Sequence, residues 1–352
     1  MSTPVAATGG SRRRFGAIRD VGSGMAAVGV KELRGRMRGK RAFVILTLYL
    51  LLVAGFAWMI ESLAERSYSG GFSSAFSASS EIGRQMFMAI VFLLTLVTLI
   101  LAPASTAGAI SMEREKQTMD LLAVTPISSL AIVLGKLLSA LSWILLLLLA
   151  SIPVVALVFT FGGVSPDDVV RAYVVLLATA FAFGAIGVFV SALVRRTQAA
   201  TVINLVVVIL LTAGTAFIFI FWTAMAGNSG FLPDQQVRLG ENPVQALTRR
   251  PPEALMWFDP FVAQLDVMCG TETGFGGTCQ VIAGVTNQNA AFQGDVQGEF
   301  GVKRDSYWPR SVAAMVIGAL ILIVLSVQLV SPTRRWRIRV PRPRRRSAGG
   351  EG

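Results

Sequence analysis

The densest group of charged residues between the apolar runs of this chain lies in the stretch SMEREKQTMDLLAVTPISSL, residues 111 to 130. It contains Glu113, Arg114, Glu115, Lys116 and Asp120 in quick succession. Charged side chains of both signs suit ion pairs at the rim of a docking groove, where each pair contributes about 0.2–1 kcal/mol. The chemistry that this stretch offers is therefore binding, and the rest of the sequence must show what it binds.

Residue types that make and break bonds are scarce. The chain has no histidine and two cysteines, which excludes Ser–His hydrolase chemistry, His-ligated metal sites and cysteine frameworks for zinc or iron–sulfur clusters. Its two Gly-Lys pairs, Gly39-Lys40 and Gly135-Lys136, lack the following Ser or Thr and the earlier Gly of a phosphate-binding loop. We therefore expect no catalytic residue, metal or cofactor in this chain, and any ATP to be bound by a partner subunit.

The composition places much of the chain in lipid. Of its 352 residues, 53% are hydrophobic and 15% are charged, and the mean hydropathy is +0.63, whereas soluble domains carry about 25% charged residues. A transmembrane helix needs about 20 mainly apolar residues. Six runs meet that length, so we predict an all-α integral membrane protein with six transmembrane helices, at residues 42–60, 86–110, 130–161, 170–194, 199–226 and 311–330.

Carriers driven by proton or sodium gradients usually hold ionisable residues deep in the membrane. The interiors of these six runs nearly lack them: Arg171 lies at the outer edge of the fourth run, and Lys136 lies within reach of the inner interface. An ion-coupled carrier is therefore disfavoured.

The basic residues indicate the orientation of the chain. They cluster before residue 42 and after residue 330, whereas residues 227–310 are net acidic and Asp167 and Asp168 follow the third run. Because positive charge stays on the cytoplasmic side, both termini, the 111–127 connection and the Arg195-Arg196 link are predicted to be cytoplasmic, in the plasma membrane. The net charge of +12 could also indicate nucleic-acid binding, but the basic runs flank apolar spans, so we expect no nucleic-acid partner.

The segments outside the spans have distinct predicted roles. Residues 1–24 read as a disordered basic tail and residues 331–352 as a basic cytoplasmic tail. Residues 25–41 suit an amphipathic helix lying along the inner leaflet, with a solvated basic linker as the alternative. Residues 227–310 form a large extracytoplasmic segment, too long for an ordinary loop and expected to be a small ordered cap or partly re-entrant helices.

The charged stretch itself predicts a helix. Ser111 can cap a helix from Met112 to about Ala123, with Glu113 and Glu115 near its positive end, and Pro126 can stop it. About 2–8 residues would suffice to connect two spans. A capped, charged helix within residues 111–127 therefore favours a functional role over a solvated turn.

The sequence MEREKQTMDLLAVTPISSLAIVLGK closely resembles the loop between the second and third spans of type-2 ABC transporter permeases. Gln117 stands where these permeases ordinarily have a small residue. VGVKELRGRMRGKRAFVILTLYLLL also resembles their entry helix and first span. The matching residues of the first pattern are Glu113, Glu115, Thr118, Asp120, Leu121, Leu122, Thr125, Pro126, Gly135 and Lys136.

This resemblance implies a permease subunit of an ABC exporter, with a coupling helix that docks on a separate cytoplasmic ATPase subunit. It further implies a second permease copy or paralogue and membrane lipids as partners. The alternative is a membrane scaffold or sensor that uses the same loop only to hold an ATPase-like partner. The residues expected to couple to the ATPase are Glu113, Arg114, Glu115, Lys116, Thr118, Asp120, Leu121, Leu122, Thr125 and Pro126.

Two further features carry predictions. Cys269 and Cys279 both fall in the outer segment, where oxidation is allowed, so a disulfide is predicted over two independent apolar residues. It would close a loop for which the entropic contribution is roughly 3 kcal/mol. In the fourth run, small residues recur at helical spacing and favour close packing within the chain over a dimer seam. They are Ala180, Gly184, Gly187 and Ser191. Asn204 could line a path or join helices.

Overall fold

The computed structural model describes residues 40–68, 75–117, 129–225, 252–269 and 306–330. The predicted tails at 1–24 and 331–352, nearly all of the amphipathic segment 25–41 and most of the outer segment 227–310 lie outside these ranges. Within them the chain forms helices and connecting turns, with no strand. Six helices are long and apolar enough to cross a membrane. The predicted all-α integral membrane fold is therefore confirmed.

The six spans have the following bounds. The first is Lys40–Tyr68, the second Ala75–Ala107, the third Ser129–Ala156, the fourth Pro166–Leu193 and the sixth Trp308–Val330. The fifth consists of an α-helix Thr197–Ile209, a π turn Leu210–Gly214 and an α-helix Thr215–Met225. A 3₁₀ turn, Leu157–Thr160, extends the third span.

Two helices run past their apolar cores. The first continues through polar residues to Tyr68, and the second begins at Ala75, well before the apolar residues start. The extension of the first helix, residues 61–68, contains neither Pro nor Gly, and that of the second, residues 75–85, contains only Gly83. Backbone hydrogen bonding therefore carries the helices beyond the residues that hydropathy alone marks.

The spans alternate in direction, so the described residues form two ends of one bundle. Residues 108–117 and 194–196 lie at one end, called here the motif end, with a short motif helix Ser111–Glu115. Residues 161–165, 252–269 and 306–307 lie at the other, called here the cap end, with a cap helix Pro260–Cys269. All residues of the predicted coupling site that the structure describes are at the motif end.

The fourth span occupies the centre of the bundle, packed against the second and sixth spans. Its most apolar window is 78% buried, whereas those of the first and fifth spans are 17% buried. Small residues permit this position. A Cβ on Gly187 would collide with the Thr106 hydroxyl and lie 3.0 Å from the Pro103 carbonyl oxygen, and a Cβ on Gly184 would lie 3.2 Å from Leu137. The small residues of the fourth span therefore serve packing within the chain.

Polar side chains fasten the cap helix to three spans. The Asp266 carboxylate accepts hydrogen bonds from the backbone N–H groups of Tyr307 and Trp308, at 2.8 and 2.9 Å, and so caps the start of the sixth span. Gln264 donates to the Ala172 carbonyl of the fourth span at 3.1 Å, and Arg84 of the second span donates to the Met268 carbonyl at 3.2 Å. The cap helix is thus an integral part of this end of the bundle.

Candidate functional site

The motif helix is shorter than predicted. It begins at Ser111 and ends at Glu115, and Gln117 adopts a left-handed backbone conformation with φ of 56°. The prediction of one continuous helix from Met112 to Ala123 is therefore wrong. A left-handed residue ends a helix, and glycine adopts this conformation most readily. Gln117 therefore ends the motif helix.

The start of the motif helix is fastened by the fourth span. The Ser191 hydroxyl oxygen accepts hydrogen bonds from the backbone N–H groups of Ile110 and Ser111, at 2.9 and 3.0 Å. The prediction that the Ser111 side chain caps this helix is wrong. Its hydroxyl donates instead to the Ala107 carbonyl at 3.1 Å. Ser191 was noted in the sequence only as a small residue, and nothing near it in sequence signals this contact.

Glu113 pairs with the third span. Its Oε1 lies 2.7 Å from the Lys136 ammonium, and the Lys136 side chain is only 4% exposed. The same ammonium donates to the Ala109 carbonyl in the turn before the motif helix. The sequence predicts that Lys136 extends to the inner membrane interface. Its side chain is instead enclosed by residues of the motif end. The acidic pair and the Gly-Lys pair of the sequence pattern thus meet in one ion pair.

Arg114 contacts the end of the fourth span. Its guanidinium donates to the Ala192 carbonyl at 2.6 Å. This carbonyl belongs to the last turn of a helix that ends at Leu193, where unpaired carbonyl groups give the helix end partial negative charge. A cation is electrostatically favoured at this position.

Glu115 contacts the start of the fifth span. Its Oε2 accepts from the Thr197 backbone N–H at 3.3 Å and from the Thr197 hydroxyl. Thr197 is the first residue of that helix, and Arg196 before it gives no side-chain cap. The Glu115 carboxylate supplies the missing acceptor and places negative charge at a positive helix end.

Four side chains of residues 111–117 are exposed: Met112, which is 46% exposed, Glu115, Lys116 and Gln117. Glu113 and Arg114 are half-buried against their own chain. The remaining residues of the predicted coupling set lie outside the described ranges, so their roles stay predictions. They are Thr118, Asp120, Leu121, Leu122, Thr125 and Pro126.

The other singled-out residues are less informative. Cys269 is buried at the end of the cap helix and is disulfide-bonded, but Cys279 lies outside the described residues, so their pairing stays a prediction. Asn204 is 1% exposed on the fifth span and has no hydrogen-bond partner among the residues the structure describes. Across those residues no group of acidic, Cys or His side chains is arranged to hold a metal ion.

A six-span membrane bundle in which a short polar helix lies in the connection from the second span to the third has the layout of a transporter permease. The family model described as ABC-2 family transporter protein matches residues 26–263, more than half of the chain. The chain belongs to this family, and it is a multi-pass membrane component of a transport system. None of the curated proteins compared with the chain matches it.

Proposed function

We propose that the chain is the permease subunit of an ABC exporter and that a separate cytoplasmic ATPase subunit docks at its motif end. The observation that carries this proposal is the five-residue motif helix. Met112 is exposed on it and Lys116 is exposed directly after it, and the side chains between them contact three spans. A turn that only reverses the chain does not need such contacts. The family match to a transport component supports the same conclusion.

The proposed orientation in the membrane follows from charge. The motif end carries Arg195 and Arg196, both exposed, whereas the cap end carries the exposed Asp167. Retention of positive charge on the cytoplasmic side makes the motif end cytoplasmic, with both termini on that side, in the plasma membrane. The cap end then faces outward.

The family match supports the other two parts of the proposal. ATP is bound and hydrolysed by the docked subunit, and two permease copies or paralogues enclose the path.

Copurification with point variants tests the docking. Met112→Asp places a carboxylate in the proposed contact, where it loses water whatever the charge of the partner surface. We expect the amount of ATPase subunit that copurifies with the tagged chain in mild detergent to fall by at least about tenfold, as for a residue central to an interface. Leu193→Asp is the matched control, because Leu193 is an exposed apolar residue at the same end but outside the motif helix. It should retain the partner.

Two results would contradict the proposal. One is that the wild-type chain brings down no ATPase subunit. The other is that Met112→Asp retains as much of it as Leu193→Asp. A scaffold would bind the subunit without changing its ATP turnover, whereas a permease should change it.

A further inference from the structure

We infer that Glu113, Arg114 and Glu115 are positioning residues that lock the motif helix to the third, fourth and fifth spans and thereby transmit its movement into the bundle. This inference rests on the proposed function, since it concerns what the docked ATPase moves. It assigns to these three charged residues a role within the chain, where the sequence pattern alone had placed them against the partner.

Three consecutive side chains reach three different spans. Glu113 contacts Lys136 of the third span, Arg114 contacts the end of the fourth, and Glu115 contacts Thr197 at the start of the fifth. Successive residues of an α-helix are about 100° apart around its axis. The three side chains therefore spread over more than half of the circumference and hold the helix from several sides.

The motif helix depends on these contacts for its orientation. It has five residues, and isolated helices shorter than about 12–15 residues are marginal in water. Its first N–H groups are bound by Ser191 of the fourth span. A force applied to its exposed face is therefore passed to the spans through Ser191 and the three charged side chains.

Charge complementarity makes each contact specific. The ammonium of Lys136 is almost completely buried, and a buried charge needs a partner of opposite sign. Arg114 and Glu115 meet helix ends of opposite polarity, which suits the cation and the anion respectively. Replacing any one of these side chains with an uncharged one loosens the helix on one side but leaves the other two contacts in place.

The test uses a nitroxide label on Met112→Cys, which is exposed on the motif helix, in the full chain reconstituted in nanodiscs. Arg114→Gln and Glu115→Gln should each increase the mobility of the label, seen as a larger mobile fraction in the electron paramagnetic resonance spectrum. Thr197→Val removes the hydroxyl that donates to Glu115 but keeps the backbone N–H contact, so it should give a smaller change in the same direction without altering the motif helix. Lys116→Gln is the matched control: it removes a positive charge from the adjacent exposed residue and should leave the spectrum unchanged.

Thermal unfolding and a double variant separate positioning from general loss of structure. The unfolding midpoint of Thr197→Val should stay close to that of the wild type, and Glu115→Gln combined with Thr197→Val should mobilise the label no more than Glu115→Gln alone. Unchanged label spectra in Arg114→Gln, Glu115→Gln and Thr197→Val would overturn the inference. So would an equal change in Lys116→Gln.

A functional arm uses the ATPase subunit that copurifies with the wild-type chain. Arg114→Gln and Glu115→Gln should bind it in wild-type amount, because Met112 and Lys116, the exposed residues proposed to meet the partner, are unchanged. The change in ATP turnover that the wild-type permease causes should nevertheless be about tenfold smaller with these variants, which is within the usual range of coupling between sites. Parallel loss of binding and turnover would overturn the inference. If no ATPase subunit copurifies with the wild type, the proposed function fails, and the label spectra still decide whether the three residues hold the helix.

Discussion

At the scale of single residues, the motif end is organised by one hydroxyl and three charged side chains. Ser191 accepts two backbone N–H groups at the start of the motif helix, and the charged side chains hold the rest of it. The residue types were visible in the sequence, but their partners were not. Glu113 and Lys136, or Arg114 and Ala192, come together only because the second, third and fourth spans are neighbours, and nothing in the charge pattern specifies that arrangement.

Replacing Ser191 with Ala should lower the free energy of unfolding by about 1–3 kcal/mol, the cost of leaving buried donors without an acceptor. Ser326→Ala is the matched control. It also removes a buried hydroxyl, but that hydroxyl donates to the Leu322 carbonyl in its own helix, so no N–H group loses its partner. Unfolding of the purified chain in mixed micelles measures both. Equal destabilisation by the two changes would mean that Ser191 contributes only its packing.

At the scale of elements, hydropathy predicted the spans well and the motif helix poorly. A long apolar run has few alternatives to a transmembrane helix, because its backbone groups must be satisfied without water. The motif helix has no such constraint, and Pro126 is the stop signal that its sequence offers. The chain turns earlier, at Gln117, where neither Gly nor Pro gives a signal. The turn is closed by the Gln117 backbone N–H, which donates to the Arg114 carbonyl at 3.2 Å.

The cap end contains a buried carboxyl that should make stability depend on pH. Asp259 is 4% exposed, and its Oδ1 accepts the Phe261 backbone N–H at 2.9 Å. Burial raises the pKa of Asp259 from 3.8 to about 6, although hydrogen bonds from the Phe261 and Val262 backbone lower it in part. The charged form is thus disfavoured in the folded state. Burial raises the pKa of Tyr307, and the nearby carboxyl groups of Asp259 and Glu253 raise it further.

The sign of the effect follows from the raised pKa. Between about pH 4 and pH 6 the folded chain binds the Asp259 proton more tightly than the unfolded chain, so stability should fall as pH rises through this window, by up to about 3 kcal/mol. Asp259→Asn should remove this part of the pH dependence, and Asp167→Asn, at an exposed residue of the same end, should leave it. Unfolding midpoints measured from pH 4 to pH 7 test this. A wild-type curve and an Asp259→Asn curve of the same slope would exclude the role of Asp259.

At the scale of the whole molecule, the bundle is arranged by small residues, because lipid-facing and buried helix faces are equally apolar. In a soluble protein, the apolar face of a helix indicates where the core lies. Here the first and fifth spans are as apolar as the fourth, yet only the fourth is central. The spacing of Gly184, Gly187 and Ser191 predicted close packing, but which spans approach it depends on shapes on all sides. The family assignment fits this layout: the motif helix contacts the third, fourth and fifth spans together, and the central fourth span joins them to the cap end.

The most direct test of coupling between the motif end and the cap end compares the two ends of the fourth span during ATP binding. Nitroxide labels at Leu193→Cys and at Val170→Cys, 60% and 61% exposed, report on the motif end and the cap end respectively. In the proposed pair of permease copies, each position gives one distance between two labels. Distances are recorded by double electron–electron resonance in the complex with the ATPase subunit, with and without ATP. The chain without an introduced cysteine, treated with the same label, gives the background from the native cysteines. If the two ends of the fourth span open alternately, ATP shifts the two distances in opposite directions. Distances that stay constant, or that change with the same sign at both ends, would contradict it.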